Sequence, residues 1–148
     1  MKLELDTEAQ ALYLRLRSGR IAETIALGDT VFMDVDRNHD PLGIEFLDPA
    51  AFASFFEQRP DVASIPSHLT VQSVDRHKEW EVEVAAGTPA ASAPDTRENA
   101  RRLAQFVRDL MHAPATIDTI PDGALVILAP QYRPVVLHPL SSPAAASA

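Results

Sequence analysis

The chain has 148 residues, a length typical of one domain with or without an appended segment. Hydrophobic residues make up 46% and charged residues 23%, an ordinary globular composition that argues against wholesale disorder. The formal net charge of −8 makes general binding of nucleic acid or anionic membranes unlikely, because both partners need clustered cations. The absence of cysteine excludes disulfides, thiolate nucleophiles and cysteine-ligated metal sites.

The sequence contains no signal for export or membrane insertion. The N-terminus alternates charged and apolar residues, and no window approaches the ~20 consecutive apolar residues that cross a bilayer. We therefore expect a cytoplasmic protein with no membrane role.

The first third of the chain alternates apolar and polar residues with a period of two. This period, interrupted by short polar turns such as Ser18-Gly19 and Gly28-Asp29, predicts antiparallel strands with one buried face. The predicted strands span residues 2–6, 12–17, 21–27, 31–36 and 42–46. Together they predict an N-terminal antiparallel β-meander.

A short helix is predicted directly after these strands. Asp48 can cap it, Pro49 suits its first position, and Phe52, Phe55 and Phe56 recur at helical spacing. Because a sheet with both faces in water is not stable alone, we expect this helix to cover the meander.

The remaining pattern completes an α+β fold with a hairpin, a longer amphipathic helix and two short strands. The helix is expected to begin at a capping box of Asp95 and Glu98 and to end before Pro114. The predicted units are the meander with its helix over 1–58, the hairpin extension over 59–84, a linker over 85–94, the helix with two strands over 95–140 and a disordered tail over 141–148.

Familiar catalytic and cofactor motifs are absent from the sequence. The five glycines lie too far apart for a dinucleotide fingerprint, a phosphate-binding loop or a serine-hydrolase elbow, all of which need closely spaced glycines. The five histidines lack the spacing of a zinc helix or finger, so each is predicted to be a surface or cap residue. We predict no cofactor and no catalytic residue.

One acidic segment resembles a calcium-binding loop in its spacing of oxygen ligands. The candidate ligands are Asp34, Asp36, Asn38, Asp40 and Glu45. His39 stands where such a loop needs glycine, and both flanks alternate like strands. We therefore favour an acidic hairpin turn, and keep a divalent-metal or small-ligand site as the alternative.

The second face of the predicted meander carries a set of charged residues that a hydrolase could use. They are Arg15, Arg17, Glu23, Asp34 and Glu45. Cross-strand ion pairs on a solvated face explain the same set, and we favour that interpretation.

Scattered residues in the first third resemble the small bacterial family called domain of unknown function 2283. The resemblance is carried by Leu5-Asp6, Glu8-Ala9, Ala11–Leu16, Ala22-Glu23-Thr24, Val35-Asp36 and Gly43–Leu47. His39-Asp40 departs from the Asp-Gly or Asn-Gly pair usual in the family, and residues 59–148 lie outside the resemblance. The family has no established activity, so the resemblance implies no catalytic residues. It does imply an association with small two-gene modules, including toxin–antitoxin-like pairs.

These observations predict a non-enzymatic intracellular protein–protein interaction module, a regulatory or antitoxin-like partner of a small protein or a self-associating chain. The predicted contact surface is the apolar stripe of the longer helix, formed by Leu103, Phe106, Val107 and Leu110. A DNA-binding antitoxin is disfavoured by the acidic charge balance.

Overall fold

A computed structural model describes residues 1–59, 67–84, 96–128 and 134–137. The elements, in chain order, are β1 (Lys2–Asp6), β2 (Ala11–Arg15), β3 (Glu23–Ala26), β4 (Val31–Val35), β5 (Pro41–Phe46), α1 (Ala51–Gln58), β6 (His68–Ser73), β7 (Lys78–Val84), α2 (Thr96–His112), a 3-10 helix (Pro114–Thr119), β8 (Leu125–Leu128) and β9 (Pro134–Leu137).

All these strands belong to one nine-stranded sheet in the order β3-β4-β5-β2-β1-β6-β7-β8-β9. Neighbouring strands are antiparallel except for two parallel pairs, β1 with β6 and β7 with β8. The sheet therefore runs without a break from the first five strands into the second half of the chain. The mixed α+β class predicted from the sequence is confirmed.

The first five strands are antiparallel, as predicted, but their order differs from that of a simple meander. Strand β2 pairs with β5 and not with β3, so the β3-β4-β5 ribbon extends outward from β2. The amides of Leu16 and Arg17 donate to the Leu42 carbonyl at 2.9 and 3.2 Å, which continues the β2–β5 pairing. Strand β3 begins only at Glu23, and Ile21, predicted to lie within it, is 54% exposed.

One face of the sheet is apolar and packs under the two α-helices. Alternate residues along the strands are buried there, with Leu3, Leu14, Ile44 and Val82 all fully inaccessible to solvent. This one-sided burial is the consequence of the period of two in the sequence.

Helix α1 covers the N-terminal part of that face, as predicted. The rings of Phe52 and Phe55 meet the ring of Phe46 edge-on, with centroids 5.1 and 5.6 Å apart. Both helix rings are buried, and such pairs add about 0.5–1.5 kcal/mol each to the burial of apolar area. The side chain of Phe56 lies outside the described part of the structure.

The start of α1 differs from the prediction. Its N-cap is Ala50, which has no capping side chain, so Pro49 lies before the helix. Asp48 instead accepts a hydrogen bond from the Ala50 amide at 3.0 Å within the preceding turn. The Asp48 carboxylate thus stabilises the turn before α1, and it lies two residues before the N-cap position.

The predicted hairpin is present as β6 and β7, with Val71 opposite Trp80. Helix α2 follows and packs against α1, β7 and β8. The order of strands and helices in the sequence does not predict these packing partners. The predicted capping residue Asp95, the linker over 85–94 and the tail over 141–148 lie outside the described residues.

The apolar stripe of α2 lies inside the protein's own core. Leu103, Phe106, Val107 and Leu110 are each 4% exposed or less and belong to the same cluster as the sheet residues. The helical spacing of these four residues in the sequence predicts a partner contact. Their packing within this chain leaves them no surface for a partner, so they are core residues in this fold.

Polar contacts tie the two halves of the sheet together at one end. Thr7, in the turn after β1, donates to the Asp75 carboxylate through its amide and its hydroxyl. Burial raises the pKa of Asp75, but the hydrogen bonds from Thr7 outweigh it, and the pKa is lowered overall. Lys78 donates to the carbonyls of Asp118 and Ile120 at 2.9 Å and so holds the end of the 3-10 helix.

Truncation of Leu103 tests the assignment of the stripe to the core. We expect Leu103→Ala to lower the free energy of unfolding by about 2–5 kcal/mol, since the side chain is fully buried. Urea denaturation measures the change. Arg108→Ala, on the exposed side of the same helix, should change it by less than about 0.5 kcal/mol. Equal effects for the two variants would contradict the burial.

Candidate functional site

The face of the sheet opposite the helices is mostly polar from β5 to β7, whereas the register also places Phe32 of β4 and Leu125 and Ile127 of β8 on it. Register places the following residues on this outer face: Lys2, Glu4, Tyr13, Arg15, Thr24, Asp34, Glu45, Thr70, Gln72, Glu79, Glu81 and Glu83. Three residues of the predicted charged set, Arg15, Asp34 and Glu45, are therefore on one face. Glu23 lies opposite buried Val35 and belongs to the other face, while Arg17 lies beyond the end of β2.

On this face, Tyr13 of β2 packs on Gly43 of β5 and contacts Asp34 of β4. The Tyr13 ring lies across Gly43 so closely that a Cβ atom on the glycine would overlap the tyrosine ring. The Tyr13 hydroxyl donates to Asp34 at 2.8 Å, and the Thr24 hydroxyl donates to the same carboxylate at 2.6 Å. The ring thus covers a strand position that has no side chain, and its hydroxyl is held in place.

The surroundings of Tyr13 favour its neutral form. Burial, followed by the hydrogen bond to Asp34, raises the pKa of Tyr13 from 10.0 to about 12. The guanidinium of Arg15 lies 5.3 Å from the ring centroid and pairs with Glu4 at 3.3 Å. A phenol held neutral between ion pairs acts as a hydrogen-bond donor at neutral pH.

The acidic segment forms a hairpin turn, as favoured by the sequence. The Asp36 carboxylate accepts hydrogen bonds from the amides of Asn38 and Asp40 at 2.8 and 3.0 Å. His39 adopts a left-handed backbone conformation, with φ of 62°, at the position where a glycine would be usual. The carboxylate of Asp36 therefore organises the turn.

Arg17 clamps this turn to the end of β2. Its guanidinium lies 2.5 Å from Asp36 and 3.7 Å from Asp40, and its Nε donates to the Pro41 carbonyl at 3.2 Å. The hydrogen bond from Arg17 is the main cause that lowers the pKa of Asp36 below its ordinary value of 3.8. A lowered carboxyl pKa means that this stabilisation is present above pH 3.8 and is lost as the pH falls through the folded-state value.

The predicted metal ligands do not form one coordination set. Asp34 is bound by Tyr13 and Thr24 on the outer face, whereas Asp36 is bound by Arg17 and the turn amides. Within the described residues, no group of three or more histidine, aspartate or glutamate side chains is placed to hold a metal ion. Two histidines lie beside single glutamates, His68 at 2.9 Å from Glu81 and His39 at 3.9 Å from Glu23.

Strand β3 is one end of the nine-stranded sheet, and its outward backbone groups can be identified from the register. The Thr30 carbonyl accepts from Leu47 next to β5, and the Val31 carbonyl accepts from Leu27 next to β3. In an antiparallel ladder the bonding direction alternates, so Ile25 faces β4. The N–H and C=O groups of Thr24 and Ala26 consequently point away from the sheet.

An open cavity of about 580 Å³ lies beside the start of this edge. It is lined by the segment before β3 and by the turn after β4, with residues Arg20, Ile21, Ala22, Asp36, Arg37 and Asn38. Sequence reasoning did not single out Arg20 or Arg37, because neither belongs to a motif or to a periodic face. Only the pairing of β3 with β4 brings them to one cavity.

The described part of the chain is thus a two-layer α+β protein with an open sheet edge beside a cationic cavity. Residues 2–48 match the family described as "Protein of unknown function (DUF2283)", as the scattered pattern predicted. The match covers β1 to β5 and ends before α1. No curated protein and no solved structure gives a significant match. Among the described residues, no helix is long and apolar enough to span a bilayer.

The packing of Tyr13 on Gly43 makes a quantitative prediction. We expect Gly43→Ala to lower the free energy of unfolding by about 1–3 kcal/mol, because the new methyl group displaces the ring. In a Tyr13→Ala background the same change should cost much less, and chemical denaturation of all four proteins gives the coupling. Equal costs in both backgrounds would contradict the close approach.

The raised pKa of Tyr13 makes a second prediction. Since the folded-state pKa is raised to about 12, the stabilisation by neutral Tyr13 should be present below pH 10.0 and be lost as the pH rises through about 12. Alkaline titration of tyrosinate absorbance measures it, and Tyr13→Phe should remove the late component of the curve. Loss of a component near pH 10 instead would show that Asp34 and burial do not act on the phenol.

Proposed function

We propose that this protein is a non-enzymatic protein-interaction module that binds an extended segment of a partner at the edge of β3. The outward N–H and C=O groups of Thr24 and Ala26, which have no strand partner among the described residues, are the observation that carries the proposal. An unpaired edge is a template for one more strand, and strand addition is a recurrent mode of peptide recognition.

The two ends of the sheet differ in how open they are. Protein edges are commonly blocked by proline, by lysine or by inward-pointing charge. Strand β9, at the far end, begins at Pro134, and the residues on either side of it are outside the described ranges. Strand β3 has neither proline nor lysine, and three of its four residues are exposed. Its one charge on the helix-covered face, Glu23, stands at the start of the strand, before the outward groups of Thr24 and Ala26. This difference favours β3 as the binding edge.

Residues 2–48 match a family of unknown function, and the match itself assigns no role. The resemblance to that family implies an association with small two-gene modules, and for this reason the proposal includes a regulatory or antitoxin-like role. Strand β3 and its neighbour in the sheet, β4, both lie within the matched residues.

Backbone pairing alone would give a weak complex. Each added hydrogen bond contributes only about 0.5–1.5 kcal/mol net, and β3 offers the outward groups of two residues. Association must also offset the lost translational and rotational freedom of the partner. A specific complex at this edge therefore needs side-chain contacts in addition to strand pairing.

A proline substitution at the open edge tests the proposal. A peptide-display library would be selected on the full chain, and the selected peptides would then be measured against Ala26→Pro. The Ala26 amide faces away from β4, so proline removes an outward donor without removing a bond of the ladder. We expect the variant to keep its thermal unfolding midpoint and to lose the peptides.

The control for this experiment is Arg108→Gln on helix α2, which removes an exposed side chain away from the sheet edge. It should bind the selected peptides as the unchanged chain does. Selected peptides that bind Ala26→Pro with unchanged affinity, or a selection that yields no peptide, would contradict the proposed function.

A further inference from the structure

We infer that the partner segment runs antiparallel to β3 and carries an acidic side chain that Arg20 and Arg37 bind in the cavity beside the start of the strand. This inference rests on the proposed function, since it specifies the occupant of the β3 edge. It goes beyond that function by naming the direction of the bound strand and the chemistry of its end.

The position of the cavity sets which end of the partner reaches it. The cavity is lined by residues 20–22, immediately before β3, and by residues 36–38, immediately after β4. A strand antiparallel to β3 passes Ala26 first and Glu23 last, so its C-terminal residues arrive at the cavity. Antiparallel pairing is also slightly more stable per residue than parallel pairing.

Two cations in the cavity wall lack a partner among the described residues. Arg17, close by, is engaged by Asp36 and Asp40, and Asp36 is further bound by turn amides. Arg20 and Arg37 make no hydrogen bond or ion pair within the described ranges, and both are exposed. Arg20 and Arg37 outnumber Asp36, the one acidic residue among the six that line the cavity, so the lining carries net positive charge.

A carboxylate is the partner group that fits two guanidinium groups at the end of a strand. Arginine binds carboxylates through paired N–H groups, and such charge-assisted hydrogen bonds are about twice as strong as neutral ones. Residues 20–22 line the cavity directly before β3, so a partner chain that passes Glu23 reaches the cavity. We therefore assign the carboxylate to an Asp or Glu side chain of the partner segment.

The exposed Ile21 adds an apolar contact in the same place. It directly follows Arg20 in the cavity wall and is 54% exposed, which is high for an isoleucine. An apolar residue of the partner segment beside the acidic one would cover it. A phosphate-rich polymer is disfavoured as the occupant, because the chain as a whole carries a net charge of −8.

Peptide display with matched arginine variants tests the inference. The peptides selected on the unchanged chain would be sequenced and measured against Arg20→Gln, Arg37→Gln and the double variant, with Arg108→Gln as the control for loss of one positive charge. We expect Asp or Glu to be enriched on the C-terminal side of an alternating run of β-branched residues. Each single variant should weaken binding by about tenfold, and the control should not.

Two further probes distinguish the source of the negative charge. Peptides with an amidated C-terminus should bind as well as those with a free one, because the side chain carries the recognised carboxylate. Replacement of the acidic residue by Gln or Asn should lose the same affinity as removal of the arginines. Inorganic phosphate at millimolar concentration should not displace the peptide.

The outcomes separate this inference from the function on which it rests. Peptides that lose binding to Ala26→Pro but show no acidic enrichment, and bind the double arginine variant equally, would overturn the inference and leave the β3 edge as a binding site. Dependence on a free C-terminus, or displacement by phosphate, would also overturn it. Peptides indifferent to Ala26→Pro would overturn both.

Discussion

The parallel pairing of β1 with β6 is the contact on which the rest of this structure depends. It joins five antiparallel strands to the hairpin of the second half, with Leu3 opposite Val71. Because paired residues share a face, this register places the apolar residues of both halves on the same side of one sheet. A shift of one residue would expose one of the two apolar faces to water. Both helices can then cover a single continuous core, which includes Phe46 and Trp80.

Because the core lies on one side of the sheet, the outer face does not pack against a helix. The polar network on that face depends on two backbone features, the glycine at position 43 and the turn after β4. Tyr13 occupies the space above Gly43, and its hydroxyl meets Asp34. Asp36 and Arg17 shape the turn that follows β4. These side chains form hydrogen bonds with one another. The groups without a hydrogen-bond partner among the described residues that we propose for binding lie elsewhere, at the edge of the sheet. The proposed interaction site is therefore a property of where the sheet stops.

The apolar stripe of α2 shows why a helix pattern alone does not distinguish a core from an interface. A row of leucine, phenylalanine and valine on one side of a helix must be covered in either case, and the sequence carries no information about which chain covers it. The structure covers Leu103 and Val107 with this chain's own sheet. The acidic turn could be predicted because its signals are local: alternating strands on both sides, and a residue other than glycine at position 39. The cationic cavity could not be anticipated, because Arg20 and Arg37 are distant in the sequence and are brought together only by the pairing of β3 with β4.

The sequence by itself determined most of the strands and both α-helices, since these follow from local periodicity within runs of four to seventeen residues. It did not determine the start of β3, the start of α1 or the 3-10 helix. It also determined the likeness of residues 2–48 to a family of unknown function. Only the tertiary structure decided that β2 pairs with β5, that β1 pairs with β6 and that β3 becomes a free edge. Those choices depend on the total burial achieved when distant segments meet, and alternating strands of similar length offer several partners of comparable local fit.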